Sequence, residues 1–354
     1  MKVLVIQQKM IGDVLTSTII CESIKRQYPN CTTFFLVNSN TIPVTENNPY
    51  IDQIIEYKTT YRNNKIELLK FIKTLKKLEF DIVIDVYSKI ESAFISYFTK
   101  AKIRIGYKKW YTQLLYTKVY TQNKIATTNA GLAIENRLKI LETITDNTTN
   151  VNTPKIHLTE TELDRAKQYL QRNHIDLNRP IYMISIIGSS KQKTYPNIYM
   201  SQIINQITLH NPKSQLLFNY IPNQKKEAEN IYKLCSKQSK KQIHFDVFGK
   251  SLREFLAITK HCNSIIGNEG GAINMAKALN ISTFAIYSPW ILKEAWAMFE
   301  DGQQNISVHL NDYKPDIYQN TSLKELKPKW NTLYELFKPT YVYEKLKFFL
   351  EYNS

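Results

Sequence analysis

Short apolar runs alternate with longer stretches of helical spacing through the first half of the chain. Lys2–Ile6 reads as a strand, and from about Val14 to Tyr28 apolar residues recur at three- and four-residue intervals, which predicts a helix. Thr33–Val37 and Ile54–Tyr57 read as further strands, and Ile66–Leu78 has helical spacing. Phe80–Val86 is a near-continuous apolar run of the kind a buried parallel strand shows, and Ile103–Tyr107 follows after another helix. This βαβα rhythm predicts an α/β fold built on a doubly wound parallel sheet.

The polar stretch Thr143–Pro154 breaks the rhythm and reads as the approach to a linker. A helix over Glu160–Arg172 follows. Strands are then expected at Ile181–Ile187, Gln215–Asn219, His244–Phe248, Ser264–Ile266 and Thr283–Tyr287, with a closing helix over Val342–Tyr352. The reading is therefore two Rossmann-like doubly wound domains, residues 1–155 and 156–335, facing across a cleft, with residues 336–354 forming a terminal helix. In such sheets ligands sit beyond the carboxyl ends of the strands, where helix N-termini point at them.

At 354 residues the chain is long enough for two such domains, each burying its own core. The absence of any long apolar run, and an N-terminus that turns polar after Val3–Ile6, lead to the expectation of a cytoplasmic protein without a secretory signal. Four scattered cysteines and six scattered histidines suggest reduced core thiols, no metal site and no bound cofactor. Lys and Arg number 47 against 31 Asp and Glu, a formal charge of +16. Such a field attracts polyanions, although a Lys-, Asn-, Ile- and Tyr-rich composition is an equally good source of it. No zinc finger, RNA-recognition signature or arginine-rich arm is present, so nucleic acid is not an expected partner.

Three stretches carry candidate chemistry. In Ile6-Gln7-Gln8-Lys9-Met10-Ile11-Gly12-Asp13-Val14 a strand gives way to a helix through Gly12. Asp13 is placed either to take a proton from an attacking hydroxyl as a general base or to cap the helix, and both can hold at once. Gly188-Ser189-Ser190-Lys191-Gln192-Lys193 is a small-residue loop with two lysines, suited to a diphosphate and equally compatible with a solvated turn. Gly267-Asn268-Glu269-Gly270-Gly271 concentrates three glycines in five positions ahead of a small-residue helix containing Asn274. It fits backbone approaching a ligand closely, or a tight structural turn. Gly249-Lys250-Ser251 ends like a phosphate loop, but His244 stands where that motif needs glycine.

In this order and spacing, the stretches resemble the heptosyltransferases, the family 9 glycosyltransferases that build the inner core of lipopolysaccharide. The resemblance lies in Gly12-Asp13-Val14, in Lys193-Thr194-Tyr195-Pro196, and in Gly267 through Leu279 against the family's Gly-Asn-Asp-[Ser/Thr]-Gly-x-x-His-x-Ala-x-Ala-Leu. Weaker echoes are Asp85, Arg104-Ile105-Gly106-Tyr107 and Gly249-Lys250-Ser251-Leu252, so that residues 1–290 are covered. The resemblance implies a GT-B fold with an acceptor domain first and a nucleotide-sugar domain second, the last helix packing back toward the first. It also implies a metal-independent, inverting transfer, ADP-heptose being the usual donor. Asp13 falls on the family's base and Lys193 on a donor phosphate ligand. Gly188, Ser189, Ser190, Gln224, Glu269, Gly270, Gly271 and Asn274 complete the expected donor set. This chain has Glu269-Gly270-Gly271 and Asn274 where the family has Asp-[Ser/Thr]-Gly and His.

The expected activity is thus transfer of a sugar from a nucleotide-sugar donor to a lipid-linked or phosphorylated glycan. Lys9, Gly12, Arg62, Arg104, Lys108 and Lys109 are the candidates to contact that acceptor, and the positive charge favours the anionic inner face of the cytoplasmic membrane. Two other readings remain: a nucleotide-sugar epimerase on the same scaffold, and a non-enzymatic basic module that binds membrane or nucleic acid.

Overall fold

A computed structural model describes residues 1–145 and 152–353. Half of the expected linker, residues 146–151, lies outside the described residues. The chain divides into two units, Met1–His157 with Glu294–Met298, and Leu158–Lys293 with Phe299–Ser354.

The first unit runs β1 (Lys2–Ile6), α1 (Ile11–Gln27), β2 (Thr32–Asn38), β3 (Gln53–Tyr57), α2 (Lys65–Lys76), β4 (Ile82–Asp85), α3 (Ile90–Phe98), β5 (Ile103–Tyr107), β6 (Lys118–Tyr120) and α4 (Leu132–Lys139). Its six strands are all parallel, in the order β3-β2-β1-β4-β5-β6. β1 lies at the centre, Ile6 level with Leu36 on one side and Asp85 on the other. Leu4, Ile6, Phe34, Leu36 and Val83 meet Leu75 of α2 and Ile95 of α3 in one core. Helices α1 and α4 pack together, as do α2 and α3.

The second unit runs α5 (Glu160–Arg172), β7 (Ile181–Ser185), α6 (Asn197–His210), β8 (Gln215–Phe218), α7 (Lys225–Leu234), α8 (Lys237–Lys240), β9 (Ile243–His244), α9 (Leu252–Lys260), β10 (Ser264–Asn268), α10 (Gly271–Ala278) and β11 (Ser282–Ile286). It ends with α11 (Lys293–Trp296), β12 (Asn305–Val308), α12 (Leu323–Leu326), α13 (Trp330–Leu336) and α14 (Thr340–Tyr352). Its parallel sheet has the order β12-β11-β10-β7-β8-β9, the first unit's order read from the opposite edge. α5 opens with Thr159 and Glu162 capping each other, and Glu162 also takes both ends of the Arg253 guanidinium at 2.6 Å. That fork holds α5 to α9 and the Glu162 carboxyl down at about 2.

Two edge strands, β6 and β12, escape the sequence pattern because they are short and carry no apolar run. β9 covers only the start of the expected His244–Phe248, since the chain turns at Val247, whose N–H donates to the His244 carbonyl. α14 packs on α6 and β12, and its Val342, Leu346, Phe349 and Leu350 belong to the second unit's core. They fill the face beside Phe284, Phe337 and Val308, so burial of apolar surface holds the helix to its own unit. The chain's four cysteines are free and buried. No helix among the described residues is long and apolar enough to cross a membrane.

Candidate active-site residues

A strand order of this kind reverses direction between its two central strands, leaving a crevice where ligands bind. In the first unit the reversal lies between β1 and β4, in the second between β7 and β10. The sequence-predicted residues Asp13, Lys193 and Glu269 stand on the loops or first helical turns that follow these strands.

At the first crevice the chain leaves β1 through buried Gln7 and Gln8 and enters α1 after Met10, whose φ of 62° makes the turn. Met10 therefore holds the capping position, and Asp13 is the third residue of the helix, where its charge still favours the positive helix end. Asp13 is gripped by a residue the sequence reading missed. Arg137 of α4, almost wholly buried, gives Nη2 to Asp13 Oδ1 at 2.8 Å and to the Asp13 carbonyl at 3.2 Å. Its Nε donates to Ser17 Oγ at 2.9 Å and its Nη1 to the Ala133 carbonyl at 2.7 Å. The guanidinium is thus fixed by α1 and α4 together, and Oδ2 of Asp13 takes no hydrogen bond from the described residues. The only sequence signal was an arginine on the apolar stripe of α4, one turn beyond Ala133.

Across the crevice Asp85 ends β4, completely buried. It accepts from the Ser88 N–H at 2.8 Å and from the Tyr116 hydroxyl at 2.6 Å. Burial outweighs both bonds and pushes its carboxyl up to about 6. Lys109 Nζ donates to the Ser88 carbonyl at 2.8 Å, which places one expected acceptor contact beside Asp85. Burial, and Lys89 nearby, draw the Lys109 ammonium below the ordinary lysine range.

The other acceptor candidates are dispersed. Lys108 is exposed and Lys9 half-buried, while Gly12 lies in the first turn of α1, its carbonyl accepting from Thr16 Oγ1 at 2.9 Å. Arg62 Nε lies 3.8 Å from Glu91. Arg104 donates to the Ala101 and Leu115 carbonyls at 2.7 and 3.2 Å and lies over the Tyr97 ring. Those bonds tie its guanidinium to residues ahead of β5 and β6.

At the second crevice two loops interlock. Gly188 donates to Thr194 Oγ1 at 3.0 Å, and a Cβ there would collide with the Lys193 carbonyl, so only glycine closes this turn. Asn268, ending β10, accepts from the Tyr195 N–H at 2.7 Å and donates to the Ser185 carbonyl at 2.9 Å. Its side chain ties the β7 loop to the β10 loop. Gly270, at φ 142°, then turns the chain into α10 in a conformation that side chains resist. Glu269 is buried, and Lys193 Nζ lies 3.4 Å from its Oε1 as an ion pair whose geometry falls short of a hydrogen bond. Burial pushes the Glu269 carboxyl up and Lys193 opposes it. The lysine also lies 6.0 Å from the Trp290 ring centre, and Trp290 Nε1 donates to the Gln192 carbonyl at 2.9 Å.

The remaining donor candidates surround that pair unequally. Gly271 opens α10 and Asn274 is buried in its first turns. Ser189 and Ser190 are exposed, and the element after them is a single 3-10 turn, Lys191–Lys193. α6 begins only at Asn197, after Pro196, and the loop before it closes on itself through Ser190 and Thr194. Gln224 follows β8, and its side chain accepts from the Ile221 N–H at 3.2 Å.

Residues 68–326 match the model of glycosyltransferase family 9 (heptosyltransferase). Over 294 residues the chain is 20% identical to lipopolysaccharide heptosyltransferase 1 of Campylobacter coli, covering 81% of this chain and 84% of that protein. It superimposes on the glycosyl transferase family 9 structure from Veillonella parvula DSM 2008 with a TM-score of 0.78 at 15% identity, over 99% of this chain and 97% of the other. The E. coli ADP-heptose lps heptosyltransferase II gives a TM-score of 0.70 at 16% identity, over 95% and 99%. At those identities the structures speak for the α/β GT-B fold. Because the family model spans most of the sequence, the chain belongs to glycosyltransferase family 9, the heptosyltransferase family.

Proposed function

We propose that this glycosyltransferase moves a sugar, with inversion, from a nucleoside-diphosphate sugar to a hydroxyl of a lipid-linked or phosphorylated glycan. The observation that carries the reading is the second crevice, where Lys193, glycine-closed turns and the N-terminus of α10 converge beyond β7 and β10. Backbone N–H groups and a lysine are what a diphosphate needs. Relatives named as ADP-heptose and lipopolysaccharide heptosyltransferases favour ADP-heptose as donor and a lipopolysaccharide core sugar as acceptor.

In this reading Oδ2 of Asp13 takes the acceptor's hydroxyl proton while Arg137 holds Oδ1. The acceptor oxygen forms its bond to the anomeric carbon as the bond to the diphosphate breaks on the opposite face. The leaving oxygen keeps the electron pair, and Lys193 and the α10 N-terminus meet its charge without a metal ion. The test is a thermal-shift panel of ADP, GDP, UDP and CMP sugars, followed by NMR of the product anomer. Selective stabilisation by ADP-heptose and an inverted product are expected. Stabilisation by another nucleotide alone replaces the donor, and a retained anomer overturns the mechanism.

A further inference from the structure

The first unit exposes apolar side chains that its own fold does not use. Helix α2 buries Ile72 and Leu75. At 100° per residue its opposite face presents Ile66 with Lys70, Lys73 and Lys77, and Leu69 beside them, all exposed. Helix α3 buries Ser92, Ala93, Ile95 and Ser96 and turns Ile90, Phe94 and Phe98 outward at four-residue spacing. α2 packs on α3, and α3 packs on the turn at Gln113–Leu115. Beside them Trp110 is 85% exposed and Leu114 is 90% exposed. Ile90 and Trp110 stand five and three residues beyond the carboxyl ends of β4 and β5, the end of the sheet from which β1 runs on to Asp13.

We propose that this face, the outer surface of α2 and α3 with the Trp110–Leu114 segment, docks the enzyme on an anionic bilayer. Charge decides between occupants. A protein interface depletes lysine at its centre, yet here Lys70 and Lys73 sit among the apolar residues, and residues 65–77 hold five lysines against one glutamate. Nucleic acid would use the lysines but leave Leu69, Phe94 and Leu114 in water. A helix lying in a membrane interface uses both, its apolar side chains entering the acyl boundary while lysine stems reach up to anionic headgroups. The overall charge of +16 supplies the longer-range attraction. The inference concerns where the enzyme sits and stands independently of which sugar it transfers.

The experiment is co-sedimentation of the full chain with phosphatidylglycerol-containing vesicles and with phosphatidylcholine vesicles, for the wild type, W110S/L114S and K70Q/K73Q/K77Q. The sites are exposed, so thermal melts should match the wild type and exclude misfolding. The wild type should bind the anionic vesicles selectively. W110S/L114S should bind at least tenfold more weakly, and each lysine removed should cost about fivefold. Failure of the wild type to bind anionic vesicles overturns the proposal, and so does undiminished binding by either variant. If the wild type instead self-associates in light scattering, is dispersed by W110S/L114S and ignores vesicles, the face is a protein interface and the proposal falls.

Discussion

The two units share a strand order but arm their central crevices in opposite ways. Between β1 and β4 stand two carboxylates, Asp13 clamped by a buried arginine and Asp85 closed in by Ser88 and Tyr116. Between β7 and β10 stand Lys193 and glycine turns, with the one carboxylate, Glu269, buried against the lysine. In the proposed mechanism the first arrangement takes a proton and the second holds an anion. Topology supplied the same crevice twice, and a handful of loop residues gave each its chemistry.

The comparison breaks most visibly at Asp13. Asp13→Asn should lower kcat by about 10²- to 10⁴-fold while leaving nucleotide-sugar stabilisation of the fold unchanged, as measured by turnover and thermal shift on one preparation. Near-normal turnover would move the proton acceptor elsewhere. Lys193→Met should do the reverse in kind. We expect a loss of about 10²-fold in kcat/KM together with a loss of thermal stabilisation by the nucleotide diphosphate. Intact diphosphate binding by that variant would erase the distinction between the crevices.

Asp85 tests the same contrast through stability. Its carboxyl is raised in the fold, so the native chain keeps a proton where the unfolded chain has lost it. That contribution is whole below about pH 3.8 and disappears as pH rises through about 6. Wild-type stability relative to Asp85→Asn should therefore fall by about 3 kcal/mol across that window, read from urea unfolding at several pH values. A flat difference would mean that Asp85 is already ionised in the fold. The smallest effect is expected from Arg137→Lys, which keeps the charge but loses the fork. A fall of about tenfold in kcat, with KM for the donor unchanged, would mark Arg137 as positioning Asp13. A rise in donor KM would instead tie it to the second crevice.

The central strands β1, β4 and β7 were legible because they are buried on both faces and write that burial as near-continuous apolar runs, while β10 showed as Ile265-Ile266 running into a glycine turn. Two of the four edge strands, β6 and β12, were not legible, since they are short and carry no apolar run. Asp13, Lys193 and Gly270 were legible because each belongs to a local strand-to-helix turn. Arg137 was not, because its meaning lies in a contact 124 residues away. Arg104 was legible only as a charge near the sheet, whereas the structure also gives its Nε and Nη1 to the carbonyls of Leu115 and Ala101.

The Lys193–Glu269 pair has a thermodynamic consequence for anything that binds there. Without a ligand the lysine is the carboxylate's ion-pair partner and opposes the upward push that burial gives that acid. In the proposed reading, a diphosphate that draws the ammonium to itself leaves Glu269 with burial alone, which pushes its carboxyl up further. The proposed donor association should then favour proton uptake, read as a calorimetric heat that changes with the ionisation enthalpy of the buffer.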